Sequence, residues 1–284
     1  LILQRIIASI VYTHLWIALC AAGMVLQTSF LLSGSWIITP LVFVTFGGTL
    51  FIYAIHRLVG LAKLKDANVS LNPRYLIINR DQQIVLGVGI LGAGLAGYYF
   101  FQLQLATQLW MTIPGVISLA YVLPFFSGKR RLRDIGMIKI FLIAFTYAIL
   151  CVLLVHVEEG YSFDKHTCLL LIEKALFIFA ITIPFDVRDL EVDKISGTTT
   201  LPKRLGWRPA VKLAQLCTII CAGIVCLNTI YDAPSGTMTM IVSYFLTYLM
   251  LRFTHTSRKD LFYSFGIDGT MILQTTLLYC SSLV

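Results

Sequence analysis

Three aspartates carry the chemistry that the sequence offers most plainly. In Ile183-Pro-Phe-Asp-Val-Arg-Asp-Leu-Glu-Val-Asp-Lys, Asp186, Asp189 and Asp193 stand three and four residues apart. On a helix that spacing puts all three carboxylates on one face. Side by side they repel, so an isolated helix gains nothing from them, but a divalent cation reverses the sign of the interaction. Mg²⁺ prefers oxygen ligands and is commonly held by one or two carboxylates together with substrate phosphates. Arg188, Lys194, Lys203 and Arg204 lie close enough in sequence to meet the remaining phosphate charge. The plain alternative is a solvated acidic loop. Three aspartates at the exit of an apolar run, backed by basic residues, weigh against it.

The elements that must position them are membrane spans. Of 284 residues 58% are apolar and 13% charged, and the mean hydropathy is +0.84. A soluble domain carries about 25% charged residues, so this chain has too few charges to cover a water-facing surface. Nine runs are long enough to cross a bilayer at about 20 residues each: 6–32, 36–60, 84–103, 107–126, 137–157, 168–185, 209–230, 237–255 and 261–282. The first is too long for a cleavable signal. Seventeen of the 22 Lys and Arg residues fall on one side of that alternation, and Lys165 alone falls opposite. The excess predicts that the N-terminus and the long loops 61–83 and 186–208 face the cytoplasm. The net charge of +8 is spread over these loops and forms no basic domain, which argues against nucleic acid. Seven cysteines show no metal-type or redox-type spacing. The run Gly87-Val-Gly-Ile-Leu-Gly fits a dinucleotide fingerprint in letters only. It lies within an apolar span, where small residues let helices approach closely.

Inside the apolar runs a few ionisable residues call for a reason, because a charge at the bilayer centre is costly. His56 and Arg57 lie near the inner end of the second run. Asp268 lies some eight residues into the ninth, with Lys139 and Arg252 as candidate partners by depth. Glu173 and Lys174 are read as an interface feature near the outer end of the sixth run.

The segment from Asp186 to Gly206 resembles the second aspartate motif of the UbiA superfamily of intramembrane prenyltransferases. The matching residues are Asp186, Asp189, Asp193, Gly197, Thr200, Leu201, Pro202 and Gly206. The stretch Tyr121-Val-Leu-Pro-Phe-Phe-Ser-Gly-Lys-Arg-Arg is similar to a second family signature after the fourth span. The resemblance implies an all-α bundle of nine helices over residues 1–284, a single domain with a central cavity open to the cytoplasmic side. It implies Mg²⁺ held by Asp186, Asp189 and Asp193, and a polyprenyl diphosphate contacted by Arg57, Lys129, Arg130 and Lys203. The prenyl group would pass to a lipid-soluble, aromatic or similar acceptor, with Tyr53 and Tyr121 lining the cavity and Asp268 facing it. A bacterial inner membrane is the expected setting.

One departure stands out. The family's first motif, N-x-x-x-D-x-x-x-D, belongs at the end of the second span, where this chain has Ala54, His56 and Gly60. No acidic residue occurs before Lys65, and imidazole is a poor Mg²⁺ ligand. Three readings stay open: a single Mg²⁺ site with His56 and Arg57 on the diphosphate, a substrate lacking a full diphosphate, or lipid binding without turnover. A transporter is a further class, and the chain lacks the paired broken helices expected of one.

Overall fold

The computed structural model describes residues 10–66, 73–124, 131–191, 198–228 and 234–283. Among the described residues the secondary structure is all helical. In chain order the helices are α1 (Leu15–Ser33), α2 (Pro40–Asp66), the short α3 (Pro73–Arg80), α4 (Gln82–Phe100), α5 (Leu105–Val122), α6 (Ile138–Glu159) and α7 (Lys165–Arg188). There follow the short α8 (Leu201–Leu205), α9 (Trp207–Leu227), α10 (Pro234–Arg252) and α11 (Asp268–Ser282). A π-helical turn, Ile149–Leu153, lies inside α6, and another, Phe262–Ile267, leads into α11.

Seven of these helices are long and apolar enough to cross a membrane: α1, α2, α4, α5, α6, α7 and α9. The chain is an integral, multi-pass membrane protein. The eighth and ninth expected runs are helical as well, but Ser, Thr and Tyr dilute α10, and the π turn divides the last run. A bilayer offers no water to the backbone, so each crossing segment must satisfy its amides internally, and apolar runs of this length become helices.

The packing is cyclic. α1 lies against α2 and α11, α5 bridges α2 and α6, and α7, α9, α10 and α11 follow in sequence order, each on its neighbour. α4 packs on α2, and glycines make that contact possible. A Cβ on Gly47 would come within 2.5 Å of the Gly92 carbonyl oxygen, and one on Gly92 within 2.7 Å of Gly47 O. The glycine-rich run of α4 is therefore a packing surface, as its letters and setting predict.

Glu173 and Lys174 correct the interface reading. Both side chains are fully buried, with Lys174 Nζ 3.3 Å from Glu173 Oε1 and the Tyr244 hydroxyl donating to the same oxygen. A charged pair survives in an apolar core only when it satisfies itself. Here α7 and α10 supply the partners.

Candidate active site

One end of the ring holds a polar pocket of about 150 Å³. It is the end where α2, α5 and α7 finish and α6 begins. α2 contributes Tyr53, His56 and Arg57, spaced so that a single helical face presents all three. The last turn of α7 contributes Asp186 and Arg188 and its C-cap Asp189, while Asp268 enters from the first turn of α11. Tyr121 comes from the end of α5, Lys139 and Tyr147 from α6, and Arg133 from the loop between those helices. That loop is held in place by close approach: Gly136 has φ +36°, and a Cβ there would lie 2.5 Å from Thr199 O.

The charges are paired in a definite pattern. Lys139 Nζ lies 2.6 Å from Asp186 Oδ1. Arg188 grips Asp189 with two parallel bonds, Nε to Oδ1 at 2.8 Å and Nη2 to Oδ2 at 3.0 Å. Its third nitrogen, Nη1, donates to Asp260 Oδ1 at 2.9 Å. The guanidinium also stands over the rings of Phe185 and Tyr263, at 5.0 and 5.7 Å from their centroids. Such a fork to a carboxylate, stacked on aromatic faces, is a geometry only arginine provides.

The pocket wall carries four cationic side chains, Arg57, Arg133, Lys139 and Arg188, against three carboxylates, Asp186, Asp189 and Asp268. The surplus is positive even with both pocket histidines neutral. His56 Nε2 and Arg57 Nε are buried without a hydrogen-bond partner. A buried guanidinium donor left unmade is costly, and the imidazole nitrogen donates or accepts according to its tautomer. Aromatic rings close the remaining wall. His56 meets Tyr121 edge-on at 6.3 Å, and Tyr53 lies 6.3 Å from His56 and 5.6 Å from His14. His14 adopts φ +66°, a left-handed conformation rare for a residue with a side chain.

Most sequence candidates converge here. Tyr53, His56, Arg57, Tyr121, Asp186, Asp189 and Asp268 all line the pocket. Lys203 does not; its ammonium donates to the Thr198 carbonyl at 3.1 Å. Asp193, Lys129 and Arg130 lie outside the described residues. The expected pairing of Asp268 with Lys139 is corrected, because Asp186 holds that lysine. Arg188 and Arg57 share the pocket wall with Asp268, and Arg252 does not line it. Of the three positions weighed for a first motif, only His56 reaches the pocket. Ala54 is buried against Gly89 of α4, and a Cβ on Gly60 would lie 2.5 Å from the Tyr75 hydroxyl. Sequence reasoning gave His14, Arg133 and Tyr147 no place in the site. Their hydropathy and spacing carry no signal, because each arrives from a different helix or loop.

Divalent magnesium is the metal to test against this set. Asp186 and Asp189 supply hard oxygen donors one turn apart, which suits Mg²⁺. Among the described residues no three His, Cys, Asp or Glu side chains form a ligand group. Two carboxylates completed by a ligand's phosphate oxygens are enough for this ion. The residues fit on that basis.

No protein-family sequence model matches the chain, and no curated protein sequence does. Solved structures do. An apo UbiA homologue from Aeropyrum pernix K1 superposes with TM-score 0.69 over 94% of this chain and 96% of its own, at 10% identity. The chain has the UbiA fold. A UbiA homologue from Archaeoglobus fulgidus bound to DMAPP and Mg²⁺ gives TM-score 0.64 at 14% identity, covering 97% of this chain and 99% of its own. Digeranylgeranylglyceryl phosphate synthase gives 0.59 at 12% identity, with 99% and 98% covered. The UbiA-like arrangement is thus shared over essentially the whole chain, although few residues are. At such identity helix packing persists because many apolar sequences satisfy the same bundle.

Proposed function

We propose that this UbiA-like protein is an intramembrane prenyltransferase. It binds a polyprenyl diphosphate at the α2–α6–α7–α11 pocket and transfers the prenyl group to a lipid-soluble acceptor, aromatic or similar. The observation that carries the reading is the meeting of Asp186 and Asp189 with a cationic surplus and two unpartnered buried nitrogens, His56 Nε2 and Arg57 Nε, in one pocket of a UbiA fold. The pocket opens on the side of the Lys/Arg-rich loops, which we take as cytoplasmic, and the setting we favour is a bacterial inner membrane.

Asp186 and Asp189 would hold Mg²⁺, with Asp193 a further candidate ligand on the same motif. When bound, the ion supplies positive charge to the departing diphosphate oxygens. The chain's own residues do the rest. Arg57, Arg133 and His56 face the diphosphate directly, and their fixed charges and donors favour negative charge as it develops on the leaving oxygens. In the transfer, the bond between the allylic carbon and diphosphate oxygen breaks with both electrons leaving on oxygen. The acceptor supplies the pair for the new bond to carbon and gives up the proton it carried there, which the released diphosphate can take. Tyr53 and Tyr121 present ring faces and edges where the allylic cation would form, and a ring face attracts a cation. The enclosing helices keep bulk water from it. Lys129 and Arg130 are retained as diphosphate contacts on the strength of the sequence motif, Lys203 as one that would have to leave the Thr198 carbonyl to reach the pocket, and Asp268 as a substrate-facing carboxylate.

One observation favours a second reading, binding without turnover. Both oxygens of Asp189 are engaged by Arg188, so a metal must draw that carboxylate away from a strong partner. The test is the thermal stability of detergent-purified protein with geranylgeranyl diphosphate, with and without Mg²⁺, followed by release of diphosphate in the presence of candidate acceptors. A ligand that binds only the folded state raises stability by mass action. A Mg²⁺-dependent shift that Asp189→Ala abolishes, with diphosphate release, supports transfer. The same shift without release across an acceptor panel supports the binding reading. No shift with geranylgeranyl diphosphate, in the presence or absence of Mg²⁺, counts against both.

A further inference from the structure

Among the described residues, six cations gather at the pocket end of α9 and α10 without a carboxylate partner. α8 and the first turns of α9 supply Arg204, Arg208 and Lys212, while the end of α10 and the loop after it supply Arg252, Arg258 and Lys259. All six are exposed, and none forms an ion pair. Other cations at this end behave differently: Lys139 is paired with Asp186, Arg131 with Asp134, and Arg188 with Asp189 and Asp260. Asp260 is the only acidic residue in 201–212 and 252–260, and Arg188 engages it at 2.9 Å. The two basic segments form one surface. α8 packs on α9 and α9 on α10, and the Trp207 ring meets His255 edge-on at 4.9 Å.

Two of the guanidiniums are held in place without being neutralised. Arg208 stands over the Trp207 ring at 5.1 Å. Arg258 donates through Nε to Phe253 O at 3.1 Å and stands over Phe262 at 5.7 Å, which leaves its two terminal nitrogens without a protein partner. A planar fork fixed in this way loses little freedom when it meets a phosphate. Beside the cations the surface turns apolar. Leu205 is 49% and Phe253 54% exposed. Arg208, Lys212, Leu216 and Ile220 recur at four-residue intervals and are all exposed, so one face of α9 runs from charge into hydrocarbon. Cations that give way to exposed apolar side chains, with a tryptophan at the junction, match a bilayer interface. A soluble polyanion would use the charge alone, whereas a phospholipid uses both parts.

We propose that this face of α8, α9 and the α10–α11 loop is a docking surface for anionic phospholipids. The phosphate headgroup lies among the arginines, and an acyl chain follows Leu216 and Ile220 along α9. None of these residues lines the polar pocket, so the assignment stands apart from the prenyl-diphosphate reading.

The experiment is a thermal-stability titration of delipidated, detergent-purified protein, because a ligand of the folded state raises stability by mass action. The probes are phosphatidylglycerol, phosphatidylcholine with the same acyl chains, and inorganic phosphate. Wild type is compared with Arg208→Gln, Arg258→Gln, Lys259→Gln, the charge-keeping Arg208→Lys and Arg258→Lys, and Lys65→Gln, which removes an exposed cation from α2. Melting temperatures without lipid establish that each variant is folded. Lys259→Gln disturbs no side-chain contact, so the test survives if an arginine variant does not fold. We expect phosphatidylglycerol to act at lower concentration than phosphatidylcholine. Each glutamine variant within the patch should need about fivefold more phosphatidylglycerol for half of the effect, while both lysine variants and Lys65→Gln stay close to wild type. Equal potency of the two lipids would overturn the proposal, as would patch variants that titrate like wild type or a Lys65→Gln variant that loses as much. Phosphate alone giving the same stabilisation, with the same dependence on the arginines, would overturn it in favour of a soluble anion.

Discussion

Lys139, the second residue of α6, holds Asp186 of α7 at 2.6 Å, with the lysine side chain 12% and the carboxylate 4% exposed. The pair joins two helices at the floor of the pocket and keeps in place the more buried of the two described motif carboxylates. Removing one partner of a buried pair leaves the other charged and unpaired, which costs about 3 kcal/mol or more. Lys139→Met should therefore lower the melting temperature, and Lys139→Met with Asp186→Asn should recover part of the loss. A double-mutant cycle by thermal unfolding in detergent measures the coupling. A Lys139→Met variant as stable as wild type would show that the pair does not hold α6 to α7.

Arg188 is the second anchor, and its replacement by lysine is predicted to be far from neutral. Lysine keeps the charge but cannot fork to Asp189, reach Asp260 and stack on Phe185 together. Loss of the charge-assisted bonds should cost roughly 2 kcal/mol, read as a lowered melting temperature for Arg188→Lys. If Asp189 also binds Mg²⁺ with the ligand, that variant should need less Mg²⁺ for half-maximal stabilisation, because the competing fork is gone. Equal stability and equal Mg²⁺ dependence would refute both statements.

Adjacent glycines make a paired test of packing. Gly47→Ala places a methyl within 2.5 Å of the Gly92 carbonyl oxygen and 2.9 Å of the Ala96 nitrogen. Backbone cannot yield as a side chain does, so overpacking of about 1–3 kcal/mol follows. Gly48→Ala meets nothing within 4 Å and should be neutral or up to about 1 kcal/mol stabilising, since alanine favours the helix. Thermal unfolding of the two variants side by side gives the comparison. Equal effects would mean that α4 does not sit on α2 as described.

Asp164 makes stability depend on pH from outside the membrane-spanning segments. It caps α7: the Thr167 amide and hydroxyl both donate to its Oδ1 at 2.9 Å. These bonds favour the charged form and hold the carboxyl below its ordinary value. A depressed carboxylate contributes stability above the unfolded-state value, near pH 4, and that contribution is lost as pH falls through the folded value. Asp164→Ala should accordingly lower the melting temperature at neutral pH and show a flatter acid-side dependence. A pH profile of melting temperature for both proteins settles the matter. Parallel profiles would count against the cap.

Much of the fold was legible in the letters. The apolar runs announced helices, and the small residues of α4 announced close packing. Asp186, Asp189, His56 and Arg57 were legible too, because charge in an apolar run is expensive and therefore conspicuous. The first-motif register was not legible: Ala54 and Gly60 occupy plausible positions in the sequence, yet they face α4 and Tyr75. Glu173 and Lys174 looked like an edge, since sequence depth says nothing about whether a neighbouring tyrosine completes the pair.

The sequence by itself determined the class of molecule and the residues able to do chemistry, because hydropathy and charge act locally through each residue's exchange with water. Only the tertiary structure decided that Lys139 belongs to Asp186, that Arg188 locks Asp189, and that Trp207 and His255 bring two basic segments onto one face. Those are relationships between helices far apart in the chain. Their rotation about their own axes follows from mutual packing, and no single helix carries that information.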